Sequence, residues 1–184
     1  MTDLYTLPVQ ADIGGCTYHL NTDFRVILRI FAALEDRSLP EILRWQVALR
    51  LFYRQRIPRD LQSEAMAYLV QFLLCGREDT PGAPLMDWQQ DAPAIIAGVN
   101  RAAGQEVRAL PYVHWWTFLS WFHAMEPGEL STLVSIRDKL RRGKKLTDWE
   151  QDFYRQNKSR VELKKALSPE EAAQKAQLNA LLGT

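Results

Sequence analysis

The side chains best suited to chemistry in this chain are two aspartates, three histidines and two cysteines. Asp87 and Asp91 stand at i and i+4 in Asp87-Trp-Gln-Gln-Asp91-Ala-Pro-Ala-Ile-Ile96. Carboxylates at that spacing share a helical face and could hold a cation or work as a pair. At a helix start an aspartate has a simpler task, accepting from free N–H groups at the positive end of the dipole. Capping is therefore the expectation for both. His114 and His123 are nine apart, on opposite sides of a helix, so they cannot share a metal within it. His19 lies in another element. Cys16 and Cys75 form no C-x-x-C pair, and no spacing matches a zinc site. There is no phosphate-cradling glycine loop, no dinucleotide fingerprint after a strand and no G-x-S-x-G elbow. With no nucleophile–base or metal constellation, the expectation is a protein that is not an enzyme, with no catalytic, cofactor-binding or metal-binding residues.

At 184 residues the chain suits one domain, or one domain with a tail, and an apolar share of 47% allows a sizeable core. A net charge of +1 gives no long-range field toward nucleic acid or an acidic membrane. No apolar run has transmembrane length. Met1-Thr-Asp-Leu-Tyr5 lacks the basic region and apolar core of a signal peptide. Two cysteines without an export signal point to free thiols in a reducing cytosol.

The elements are organised around Leu110-Pro-Tyr-Val-His-Trp-Trp-Thr-Phe-Leu-Ser-Trp-Phe-His-Ala-Met125, which holds three of the six tryptophans. Pro111 fits the first turn of a helix. Every face of that helix then carries a ring or an aliphatic group. Such a helix is a buried core element, or part of it docks another protein, because Trp, Tyr and Phe dominate interface hot spots. On the second reading Trp115, Trp116, Trp121 and Phe122 are the candidate partner-binding residues.

Ahead of it, Val9-Gln-Ala-Asp-Ile13, Gly14-Gly15 and Cys16-Thr-Tyr-His-Leu20 read as a β-hairpin with a primed turn. A lone hairpin is marginal, so it must lie on helices or pair with another subunit. Helices follow over about 23–35, carrying Phe24, Ile27, Leu28, Phe31 and Leu34, and from a capping box at Ser38-Leu-Pro-Glu41 with Ile42, Trp45, Leu49 and Phe52 on one stripe. A third opens at Pro58-Arg-Asp60 and ends at Gly76, and a fourth opens at Asp87 and stops at Gly104. The arginines at 44, 50, 54, 56 and 59 are spread singly among acids and glutamines, as on solvated helix faces. After the aromatic helix come Leu130, Leu133, Val134, Ile136 and Leu140, then a box at Thr147-Asp-Trp-Glu150 with Trp149, Phe153 and Tyr154.

Over residues 137–165, eleven Lys or Arg stand against five Asp or Glu. The stretch 78–106, with five acids and one arginine, is a possible counterpart on a neighbouring subunit. Ser168-Pro-Glu-Glu171 begins a last helix whose thin stripe, Leu178, Leu181 and Leu182, needs packing to fold. These leucines join the candidate partner-binding residues. The fold class is mainly α, a multi-helix bundle-like domain over 1–165 with a small N-terminal β-hairpin at about 8–20, and a C-terminal helix or tail over 166–184.

Three stretches together resemble a known family. They are the hairpin running into Asn21-Thr-Asp-Phe-Arg25, Asp87 to Ile96, and His114-Trp-Trp-Thr-Phe-Leu119 leading to Ser135-Ile-Arg137. Their order and spacing are similar to those of the bacteriophage "gp-fifteen" family, the tail assembly chaperones of long-tailed phages. Members often carry a D-x-x-x-D-A segment, an H-W-x-x-F segment, and I-R before a basic stretch. The resemblance covers about residues 8–160, and none of its motifs is catalytic. It implies a helper in the host cell cytoplasm that binds the tape measure protein, helps recruit tail tube subunits and then leaves. Self-association along a long partner would accompany that role. The alternative is a small helical nucleic-acid-binding protein, using the basic segment 137–165 on phosphates and Trp149, Phe153 and Tyr154 on bases. Near-neutral net charge weighs against it, and no membrane partner is expected.

Overall fold

The computed structural model describes residues 5–76 and 84–164. They fall into two compact units, one within residues 1–78 and one within 79–164, where the sequence is read as one domain over 1–165. The last helix expected from Ser168, with Leu178, Leu181 and Leu182, lies outside the described residues. The chain is mainly helical with one small antiparallel hairpin, as its periodicity predicts.

In unit 1 the hairpin is β1 (Gln10–Ile13) and β2 (Cys16–His19). Its two-residue turn needs positive φ twice, and Gly14 and Gly15 supply φ of 58° and 78°. Ala11, Ile13, Tyr18 and Leu20 point inward. The hairpin is not left alone: Leu20 bridges to Tyr53, the Arg54 N–H donates to His19 O at 2.9 Å, and Tyr68 Oη donates to Gln10 O. Three helices complete the unit: α1 (Phe24–Glu35), α2 (Glu41–Phe52) and α3 (Gln62–Leu73), the last preceded by a 3₁₀ turn at Arg59–Leu61. Asp23 caps α1 through the Arg25 N–H.

Two local readings need correction. The box at Ser38 does not form, because the Ser38 hydroxyl donates to Asp36 Oδ1 and α2 starts only at Glu41, with no side-chain cap. The buried face of α2 is Ala48, Leu49 and Phe52, while Ile42 is 60% exposed. The helix is amphipathic mainly in its second half, so spacing alone placed Ile42 on the wrong side. Phe52 sits among the rings of Tyr53, Tyr68 and Phe72, and Tyr53 Oη donates to Ala65 O at 3.0 Å. Burial pushes the Tyr53 phenol well above its ordinary pKa.

Unit 2 holds α4 (Ala92–Ala103), α5 (Trp115–His123), α6 (Glu129–Arg141), α7 (Asp148–Gln156) and the single turn α8 (Lys158–Val161). Gly104, at φ 67°, closes α4 as expected. The aromatic helix is shorter than the stretch that encodes it. Pro111 stays outside, and α5 begins at Trp115 behind His114, whose Nδ1 accepts from the Trp116 N–H at 3.1 Å. The box at Thr147 forms in both directions. Leu133, Ile136 and Val161 make a small core cluster against which Leu146, Phe153 and Tyr154 pack. No helix among the described residues is long and apolar enough to cross a membrane.

Candidate partner-docking surface

The two aspartates that open the question of chemistry have different fates. Asp87 caps a turn ahead of α4 rather than the helix, which starts at Ala92 and not at Asp87 as its sequence suggests: its Oδ1 accepts from the N–H groups of Gln89 and Gln90 at 2.8 and 2.5 Å. Asp91 occupies the cap position of α4, yet its side chain makes no cap. It turns inward onto Arg137. Asp91 Oδ2 lies 2.6 Å from Arg137 Nη1 and Oδ1 2.8 Å from Nη2, with both side chains buried. The capping expectation for Asp91 is therefore corrected: its carboxylate takes the Arg137 guanidinium and, at Oδ2, the Asp87 N–H ahead of the helix, rather than the first N–H groups of α4.

Arg137 satisfies the rest of its fork with main-chain carbonyls. Its Nε donates to Val161 O, Nη1 to Leu85 O and Nη2 to Arg160 O, at 2.6, 3.0 and 2.6 Å. All five guanidinium N–H groups thus have acceptors, which a buried arginine requires. Gln90 works beside it. Its amide nitrogen donates to the carbonyls of Ser159, Arg160 and Glu162, and its Oε1 accepts from the Lys164 N–H. A four-residue helix has no stability of its own, and its last carbonyls are orphans. Arg137 and Gln90 supply those missing donors, fastening α8 to the rest of the unit.

The third stretch joins through rings. Trp88, inside the Asp87 turn, packs against Trp115, Phe118 and Phe122 with centroids 5.6, 6.5 and 5.2 Å apart. Trp115 and Trp116 are 1% and 8% exposed, so both belong to the core of this unit. Trp121 and Phe122 are half-buried. The short motifs in 87–96, 114–119 and 135–137 are hence parts of one packed and hydrogen-bonded core.

Phe122 also lines a groove of about 580 Å³ that sequence reasoning missed. Met86, Met125, Leu130 and Val134 form its apolar walls, Ala97 and Gly98 part of its floor, and Arg101, Glu126 and Glu129 its polar edge. Gly98 lets the Met125 side chain lie close against α4, since a Cβ there would run into Met125 Sδ and push that side chain aside. The methionines come from loops far apart in sequence, so no periodicity announces them. Among the described residues, no three His, Cys, Asp or Glu side chains gather as a metal site.

The basic run is largely neutralised within the unit. Arg137 pairs with Asp91, Lys139 with Glu150, Arg141 and Arg142 with Asp138, Arg155 with Asp152, Lys158 with Glu162, and Arg160 with Glu129. Of the aromatics offered for base stacking, only Trp149 is exposed. The acidic and basic stretches meet in one chain at Asp91 and Arg137.

A family model described as "Bacteriophage Gp15 protein" matches residues 4–163, from ahead of the hairpin through α8. The chain belongs to the bacteriophage Gp15 protein family. No curated protein and no solved structure matches it. In this phage protein the family match takes in the Asp91–Arg137 pair and the α8 turn that Arg137 holds.

Proposed function

We propose that this protein is a non-enzymatic tail assembly chaperone of the host cell cytoplasm, which holds a helical segment of the tape measure protein and helps recruit tail tube subunits. The groove carries this reading. Its walls combine a phenylalanine, two methionines and aliphatic side chains with a charged edge, the composition of surfaces that take an amphipathic helix. Methionine walls adapt to varied side chains, which suits a helper that meets many segments of a long partner. Gp15 family membership places the chain among phage proteins, consistent with such a partner. The nucleic-acid reading is weakened by the ion pairs over 137–165, which leave few cations there for phosphates.

The test is co-sedimentation and calorimetry with the tape measure protein of the same genome. Ala97 is exposed on α4 and lines the groove, so Ala97→Arg blocks it without disturbing the core. Loss of a central anchor typically costs at least 2 kcal/mol, so affinity should fall by roughly thirtyfold or more while the melting temperature holds. Unchanged binding by Ala97→Arg would remove the groove from the mechanism, and no binding by the wild type would end the chaperone reading.

A further inference from the structure

Unit 1 contains a second cleft, of about 650 Å³, built by the connection between α2 and α3. Ile57 and Pro58 turn the chain there, with Ile57 buried as a proline-preceding residue that leaves the helical region. This brings Arg50 from the last turn of α2, Arg56 from the connection and Arg59 from the 3₁₀ turn to one opening. Gln46 and Gln62 line the same cleft, over a floor of Leu49 and Ile57.

The three arginines have no ion pair among the described residues, unlike Arg25, which pairs with Asp23, and Arg54, which donates to Asn21. The nearby Glu64 is engaged with the Gly14 N–H, and Asp60 pairs with none of them. Three guanidiniums around one opening repel each other until an anion joins them. Guanidinium forks match carboxylates bidentately, and glutamine amides match a peptide backbone. No aromatic side chain lines the cleft, so nucleic-acid bases would find no stacking platform.

We propose that this cleft binds an acidic peptide segment of a partner protein, with carboxylates on Arg50, Arg56 and Arg59. The site is separate from the groove of unit 2 and stands whether or not the tape measure protein occupies that groove. The test uses the full chain and fluorescence anisotropy with a fluorescein-labelled hexaglutamate, at low and at physiological salt. The double variant Arg56→Gln/Arg59→Gln should weaken binding at least about tenfold, as loss of charge-assisted fork contacts does. Arg29→Gln, an exposed change on α1, should leave it unaltered. Thermal melts of both variants confirm that each is folded. Failure of hexaglutamate to bind at low salt, or equal weakening by Arg29→Gln, overturns the proposal. So does a labelled twelve-residue oligothymidylate that binds through the same arginines as tightly as the peptide, since the ligand would then be nucleic acid.

Discussion

Arg137 in unit 2 and Arg50, Arg56 and Arg59 in unit 1 are one residue type in opposite circumstances. Arg137 is buried, forked onto Asp91 and three carbonyls, and holds three segments of chain together. The other three are exposed, unpaired among the described residues and gathered at a cleft. The first arrangement is architecture, because removing one partner strands a charge in a low-dielectric interior. The second costs stability slightly through repulsion, and such an arrangement is explained by a ligand rather than by folding.

The largest expected effect breaks or upholds the architectural half. Asp91→Ala or Arg137→Ala should destabilise the protein by about 3–5 kcal/mol in urea unfolding, the usual result of orphaning a buried partner. Arg137→Lys should recover only part of this, since an ammonium cannot reproduce the five-donor fork. The double change Asp91→Leu/Arg137→Met should be milder than either alanine variant, as apolar replacements of buried pairs often are. A loss below about 1 kcal/mol for Asp91→Ala would mean that the pair is no more than a surface contact in solution.

These effects also mark what could be read from residues alone. The hairpin turn, the start of α1 near residue 23, the Thr147 box and the Gly104 stop were legible, because each depends on neighbours within a few positions. The Asp91 role was not, since capping and ion pairing use the same carboxylate and the choice depends on a guanidinium 46 positions away. Ser38 was lost to Asp36, a local competitor two residues back. Trp115 and Trp116 were singled out for their type, and their burial settles on which side of the helix the core lies. The groove of Met86 and Met125 exists only once distant loops meet, and the arginine cleft only once the chain turns at Ile57 and Pro58 between α2 and α3.

A smaller effect tests whether the paired cations of unit 2 matter one by one. Glu150 is held below the ordinary carboxylate range, first by the Lys139 ammonium and then by the Thr147 N–H. A lowered folded pKa means that this contribution is complete above the unfolded value, about 4.3. It is lost as pH falls through the folded value. Helix α7 should therefore loosen in acid, seen as faster amide exchange over 148–156 below about pH 4.3. Glu150→Gln should flatten that response, and an unaltered acid profile would show that the pair contributes nothing separable.

The smallest effect belongs to the arginine cleft and sharpens the other half of the comparison. Surface changes away from special features usually stay within about 0.5 kcal/mol, and Arg50→Gln and Arg59→Gln should both do so. The two differ slightly for a physical reason. Arg50 lies in the last turn of α2, where a cation gains from the helix dipole, so relief of repulsion is offset by that loss. Arg59 begins a 3₁₀ turn, where a cation gains nothing from the dipole, so Arg59→Gln should be neutral or slightly stabilising at low ionic strength. At 1 M salt the Debye length shrinks to about 3 Å and the difference between the two variants should vanish. If either change instead destabilises the ligand-free protein by more than about 1.5 kcal/mol, well outside the surface range, that arginine is structural, and unit 1 uses its cations as unit 2 does.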